Sequence, residues 1–133
     1  MPAPATAVAS DTNTLVVYKS PTCGCCAKWV EHMQQAGFTV VVHDTDDLAP
    51  VKASAGVPSS LEACHTARIG GYVIEGHVPA TDVRRLLRER PAVAGIAVPG
   101  MPSGSPGMEA SVSEHYRVVS FSGSTAPRTF ASH

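Results

Sequence analysis

Three of the four cysteines in this chain, Cys23, Cys25 and Cys26, fall within four positions, in the run Ser20-Pro21-Thr22-Cys23-Gly24-Cys25-Cys26. An apolar run (Leu15, Val16, Val17, Tyr18) precedes them and a helical pattern comes after, so the sulfurs belong where a strand ends and a helix begins. The first backbone N–H groups of a helix lack intrahelical partners and carry partial positive charge, which favours a thiolate over a thiol. A thiolate is both the nucleophile of disulfide exchange and a soft ligand for soft metals. Cys23 and Cys26 have the C-x-x-C spacing of a reversible dithiol. Cys25 competes for any such disulfide, whereas a metal gains a ligand from it. A bond between adjacent Cys25 and Cys26 would be strained. Inert, buried cysteines are the alternative, but exposed thiols at a turn are a liability unless used.

Further soft donors lie downstream. Cys64 is followed by His65, and the alternative for Cys64 is a lone buried cysteine. Met101 and Met108 are flanked by Pro and Gly rather than by apolar neighbours. Thioethers suit Cu(I) and do little for Zn(II); the competing reading is that both methionines plug gaps in the core. Of the six histidines, His65 and His77 are the better ligand candidates, the first beside Cys64 and the second just after Gly76. His32 is expected to face solvent. The sequence holds no Gly-rich phosphate loop, Ser/His/Asp set or zincin motif.

Residues 14–19, with β-branched Val16 and Val17, read as a buried strand ended by Pro21. A helix over residues 26–36 is expected from Cys26, Trp29, Val30 and Met33 at i, i+3, i+4, i+7, with Gly37 as its stop. Residues 38–43 form a second strand. Residues 44–47 supply N-cap candidates for a short helix through Leu48, Val51 and Ala55, with Pro50 in its first turn and Gly56 after it. Ser59 and Glu62 have capping-box spacing for one helical turn before Cys64. Residues 66–69 and 72–75, joined by Gly70-Gly71, read as a β-hairpin. Pro79 opens a helix with Val83, Leu86 and Leu87 inward; Arg84, Arg85, Arg88 and Arg90 are expected to face water. Pro91 ends it. Residues 96–108, rich in Pro and Gly, are expected to form neither helix nor central strand. Residues 116–121 read as the last strand.

The order β-α-β-α-β-β-α matches a thioredoxin-like α/β layout: a central mixed sheet flanked by helices, followed by an irregular Pro/Gly/Met-rich C-terminal extension. In such folds the loop before the hairpin faces the C-x-x-C corner, which lets Cys64 supply a fourth sulfur.

The chain's 133 residues and 44% hydrophobic content suit one domain, read as residues 14–122 between a disordered segment 1–13 and a frayed tail 123–133. A net charge of −1 leaves no footprint for nucleic acid, and no apolar run reaches membrane-spanning length. The first eleven residues lack the basic and apolar regions of a signal peptide but resemble the small-residue stretch just beyond a cleavage site. A cytosolic N-terminus is the alternative.

Four blocks are specific in combination: residues 18–26, residues 64–67, residues 71–79, and residues 97–102 with 104–108. Together they resemble the small CopG-like copper-resistance proteins, over about residues 15–121. The resemblance implies a thioredoxin-like fold, an exported (periplasmic) bacterial location in a mature form without its signal peptide, and copper as the bound ion. It implies a multinuclear Cu(I)–thiolate site with Cys23, Cys25, Cys26 and Cys64 as ligands, and Met101, Met108, His65 and His77 as accessories. Copper ions, and other copper-handling proteins, are the implied partners. The rival readings are a thiol–disulfide oxidoreductase using Cys23 and Cys26, a hybrid that changes copper between Cu(I) and Cu(II), and a structural zinc site.

Overall fold

A computed structural model describes residues 12–123 and 125–133. The apolar alternation at its start becomes strand β1 (Thr14–Lys19), with Leu15, Val17 and Lys19 on its buried side. Helix α1 (Gly24–Gln35) comes next and buries Cys26, Trp29, Val30 and Met33, the stripe expected from their spacing. The remaining elements are β2 (Thr39–Asp44), α2 (Ala49–Ala55), a 3₁₀ turn (Ser59–Leu61), β3 (Thr66–Ile69), β4 (Tyr72–Gly76), α3 (Ala80–Glu89), β5 (Gly95–Val98), β6 (Arg117–Ser122) and β7 (Thr125–Ser132).

The strands make one mixed seven-stranded sheet in the order β2-β1-β3-β4-β5-β6-β7. β1 runs parallel to β2 and β4 parallel to β5; the other pairings are antiparallel. Each face of the sheet has its own core. Leu15, Val17, Ile74 and Ile96 pack with Trp29 and Met33 of α1 and with Val83 and Leu86 of α3. Val73, Ala97, Val119 and Phe121 pack with Ala55, Val57 and Leu61. The β3–β4 hairpin turns through Gly70 (φ 56°) and Gly71 (φ 88°), both left-handed as a tight primed turn requires.

Several expectations need correction. Residues 96–98 do form a central strand: Ile96, Ala97 and Val98 in β5 are buried between β4 and β6, and the strand ends before Pro99 breaks the ladder. The tail expected to fray over residues 123–133 instead forms β7, an edge strand in which Pro127 is tolerated. β6 is therefore not the last strand. The disordered segment expected over residues 1–13 lies outside the described residues up to residue 11, and the Asn13 carbonyl already accepts the Thr39 N–H at 2.9 Å.

Capping also differs from expectation. Leu48 occupies the N-cap of α2, and Pro58 that of the 3₁₀ turn, neither with a side-chain cap bond. The arginines of α3 do not simply face water. Arg84, Arg85 and Arg90 lie over the rings of Phe38, Phe130 and Tyr72 at 3.8, 4.1 and 4.7 Å. They also donate to the carbonyls of Ala36, Phe130 and Gly70, so they tie α3 to its surroundings.

Candidate metal centre

β1 ends one turn before the cysteine run, and Cys23 takes the N-cap position of α1 in an extended conformation. Its Sγ accepts the otherwise unpartnered N–H of Cys26 at 3.3 Å. Cys26 points into the core and Cys25 stays partly exposed. Cys23 and Cys26 are joined as a disulfide, leaving Cys25 and Cys64 as free thiols. Cys23 Sγ and Cys25 Sγ are 3.5 Å apart.

The loop between the 3₁₀ turn and β3 carries Cys64 to the same corner. The four sulfurs of Cys23, Cys25, Cys26 and Cys64 all lie within 4.8 Å of one another. Cys64, His65 and His77 form a second group of the same tightness, so Cys64 is common to both. The loop after β5 brings the exposed Met101, whose sulfur is 3.8 Å from Cys25 Sγ. Met108 lines an open groove of about 430 Å³ beside Gly24, Cys25 and Lys28.

The imidazoles are set by their partners. His77 Nδ1 lies 2.6 Å from the Pro106 carbonyl, which can only accept, so this nitrogen carries the proton. In the neutral ring that leaves a lone pair on Nε2, 3.0 Å from Cys64 Sγ. Burial lowers the His77 pKa and keeps the ring neutral; the Pro106 bond and Glu109 oppose this. His65 is wholly buried, tilted against Trp29 with ring centroids 4.4 Å apart, and its Nδ1 is 3.4 Å from Cys64 Sγ. Its Nε2 is buried without a hydrogen-bond partner among the described residues. Burial, reinforced by His77, Lys52 and Lys19, pushes the His65 pKa down to about 3. Burial, with the neighbouring Cys25, pushes the Cys64 thiol up to about 12.

This donor set is soft: four sulfurs, a thioether and two neutral imidazoles, with no carboxylate in either group. It fits Cu(I), and the thioether favours Cu(I) over Zn(II). Cys64 must lose a proton to become a thiolate ligand, which a bound cation would drive. His32, by contrast, is half-buried and its Nε2 accepts the Ala80 N–H at 3.0 Å, so its lone pair is already used and it does not face solvent as expected.

Sequence reasoning missed the residues behind the corner. Glu75 and Lys52 form a buried ion pair there, and Gly107 makes a close approach. The only sequence signal for the pair is a lone charge in each of two apolar segments. Gly107 has φ +90°, and a Cβ on it would lie 2.7 Å from the Cys25 carbonyl oxygen and 2.8 Å from His77 Nδ1. Gly107→Ala should therefore lower stability by about 1–3 kcal/mol in urea denaturation, through backbone strain and overpacking. It should also speed hydrogen exchange in residues 104–108.

A family profile described as "Protein of unknown function, DUF411" matches residues 61–108. Two solved structures are similar over nearly the whole chain. "Copper resistance protein copG- Form 1" is 42% identical, covers 92% of this chain and 98% of its own, and has a TM-score of 0.86. "Copper resistance protein copG- Form 2" is 43% identical, covers 90% of this chain and 97% of its own, and has a TM-score of 0.85. No curated protein sequence matches.

Proposed function

The chain belongs to the CopG-like copper-resistance family, and from that premise we propose that it binds Cu(I) at the four-cysteine corner, as a small thiolate cluster serving copper resistance. The observation that carries this reading is the convergence of four sulfurs from two distant segments within 4.8 Å. Bridging thiolates can share more than one soft ion. Cys23, Cys25, Cys26 and Cys64 are the proposed ligands. Met101 is the methionine whose sulfur touches a thiol, and His77 offers a lone pair on the Cys64 side. Met108 and His65 are further accessories.

Ligation by all four sulfurs requires the Cys23–Cys26 disulfide to be reduced, taking up two electrons and two protons to give two thiols. Oxidation withdraws both sulfurs from a metal. The disulfide itself supports a second reading: a thiol–disulfide oxidoreductase in which Cys23 attacks and Cys26 resolves. A hybrid, in which copper changes between Cu(I) and Cu(II) as these thiols supply electrons, unites the two.

The test is anaerobic titration of the reduced chain with Cu(I) against a chromogenic chelator. More than one tightly held copper per chain supports the cluster. If the chelator keeps all the copper while the chain reduces insulin rapidly, the oxidoreductase reading replaces it. Cys25→Ser separates the two further. It should weaken Cu(I) binding by about two orders of magnitude, on the scale of one ligand among four, yet leave disulfide exchange at Cys23 and Cys26 intact.

A periplasmic location belongs to this proposal. The disulfide accords with an oxidising compartment, and no helix among the described residues is long and apolar enough to cross a membrane. Osmotic-shock fractionation of cells expressing the native gene tests it.

A further inference from the structure

One layer behind the thiols lies a cluster that the copper reading does not use. Glu75 of β4 is fully buried, as is Thr66 of β3, and Lys52 of α2 is nearly so. Glu75 Oε2 accepts from Lys52 Nζ at 2.5 Å and from the Ala63 backbone N–H at 2.8 Å. Its Oε1 accepts from Thr66 Oγ1 at 2.6 Å, and Lys52 Nζ also donates to Thr66 Oγ1 at 3.0 Å. One carboxylate thus ties together α2, β3, β4 and the loop that holds Cys64.

The bond to Ala63 is the telling one. Ala63 immediately precedes Cys64, and the Cys64 loop makes no regular ladder until β3 begins at Thr66. On the other side of Cys64, the His65 carbonyl accepts the Gly76 N–H at 3.1 Å. The Cys64–His65 pair is therefore held on both sides by β4, the strand that leads into His77. The His65 side is fixed by the Gly76 bond and by the ring's packing on Trp29; the Ala63 bond fixes the other side of Cys64, whose Sγ lies 3.0 Å from His77 Nε2.

We propose that Glu75 is a positioning residue for Cys64: charge-balanced by Lys52, its carboxylate holds the Ala63 N–H and so sets the thiol against His77 and the other three sulfurs. Lys52, which also donates to Thr66 Oγ1, anchors the carboxylate in place. The consequence for metal rests on the copper reading; the placement of the thiol does not.

Two variants test this. Glu75→Gln leaves Lys52 unpaired in the core, so it is accompanied by the double variant Lys52→Met/Glu75→Leu. Replacing a buried ion pair by apolar residues of similar size is often tolerated, while breaking it is not. Circular dichroism and thermal midpoints identify the folded variants. In the metal-free oxidised protein only Cys25 and Cys64 can be alkylated. The expected result is that maleimide labelling of Cys64, followed by peptide mass, accelerates about tenfold or more while Cys25 keeps its rate. In the reduced protein, Cu(I) affinity against a chelator should fall about 10–100-fold, as for other groups that orient a ligand. That fall should vanish when the same change is made in a Cys64→Ser background.

Unchanged Cys64 labelling and Cu(I) affinity in a folded variant overturns the proposal. An equal fall in the Cys64→Ser background also overturns it, because Glu75 would then act on the fold rather than on that thiol. If labelling accelerates but the wild-type chain never competes for Cu(I), the positioning role stands and the copper reading fails.

Discussion

Cys64→Ser should weaken Cu(I) binding to the reduced chain by at least two orders of magnitude, and by more than Cys25→Ser or Met101→Leu. The reason is position. Cys64 is the one residue shared by the four-sulfur group and by the group it makes with His65 and His77. A metal site of four ligands in a small domain is worth roughly 10–16 kcal/mol, so one ligand carries about 3 kcal/mol, or a factor of about 150. Losing the shared atom also uncouples the histidines from the thiols, which adds to that figure. Met101 is exposed and touches only Cys25 among the sulfurs, so its loss should cost tenfold or less.

The same residue makes uptake proton-linked. Burial and Cys25 hold the Cys64 thiol protonated, with a pKa up to about 12, until a cation arrives. Cys64 should then release its one proton as metal binds, and this thiol alone should contribute about a tenfold rise in apparent affinity per pH unit through the neutral range. Chelator competition at pH 6, 7 and 8, on the wild type and on Cys64→Ser, measures both effects. Equal affinity and stoichiometry in the two proteins would show that the downstream thiol is a bystander.

How much of this is legible in the sequence depends on the range of the interaction. Cys23, Cys25 and Cys26 are neighbours along the chain, so a strand-to-helix turn is enough to place them. Cys64 and His77 are legible one step further out, because the hairpin turn at Gly70-Gly71 fixes which residues flank it. The Lys52–Glu75 pair is not legible. Its partners are 23 residues apart, and the pairing depends on the sheet register that sets Thr66 opposite Glu75. Strand β5 is hidden by its brevity, four residues between two prolines, since an apolar run that short carries no periodicity to read. Strand β7 is hidden by composition: it is largely exposed and contains Pro127, both features that only an edge position allows. The ring–cation contacts of α3 escape a sequence reading because the arginines show helical spacing, while the rings of Phe38, Tyr72 and Phe130 come from three other segments.

The metal-free chain should lose stability steeply in mild acid, and His65 should account for the largest single part. Its ring is buried against Trp29, and burial first, then the charges of His77, Lys52 and Lys19, lowers its pKa to about 3 from an ordinary 6.5. The sign comes from proton counts. Above pH 6.5 neither the folded nor the unfolded chain protonates this ring, and the full stability is present. Between pH 6.5 and about 3 the unfolded chain binds a proton that the folded chain refuses, so stability falls as pH falls. The slope is at most about 1.4 kcal/mol per pH unit, giving roughly 4–5 kcal/mol across the whole window and about 2.5–3 kcal/mol between pH 7.5 and 4.5. His77 and His32 are lowered in the same direction, and so is Glu109 through the Gly107 N–H, so the wild-type slope alone does not isolate His65. His65→Phe does, because it keeps an aromatic ring against Trp29 and removes one titration. Urea denaturation at pH 7.5 and 4.5 should show the variant losing about 2.5–3 kcal/mol less than the wild type. An identical loss in both, or a His65 ring resonance that titrates near pH 6.5 by NMR, would overturn the assignment. The outcome bears on the site as well, since a ring that stays neutral down to pH 4 keeps a nitrogen lone pair available to a metal wherever the fold survives.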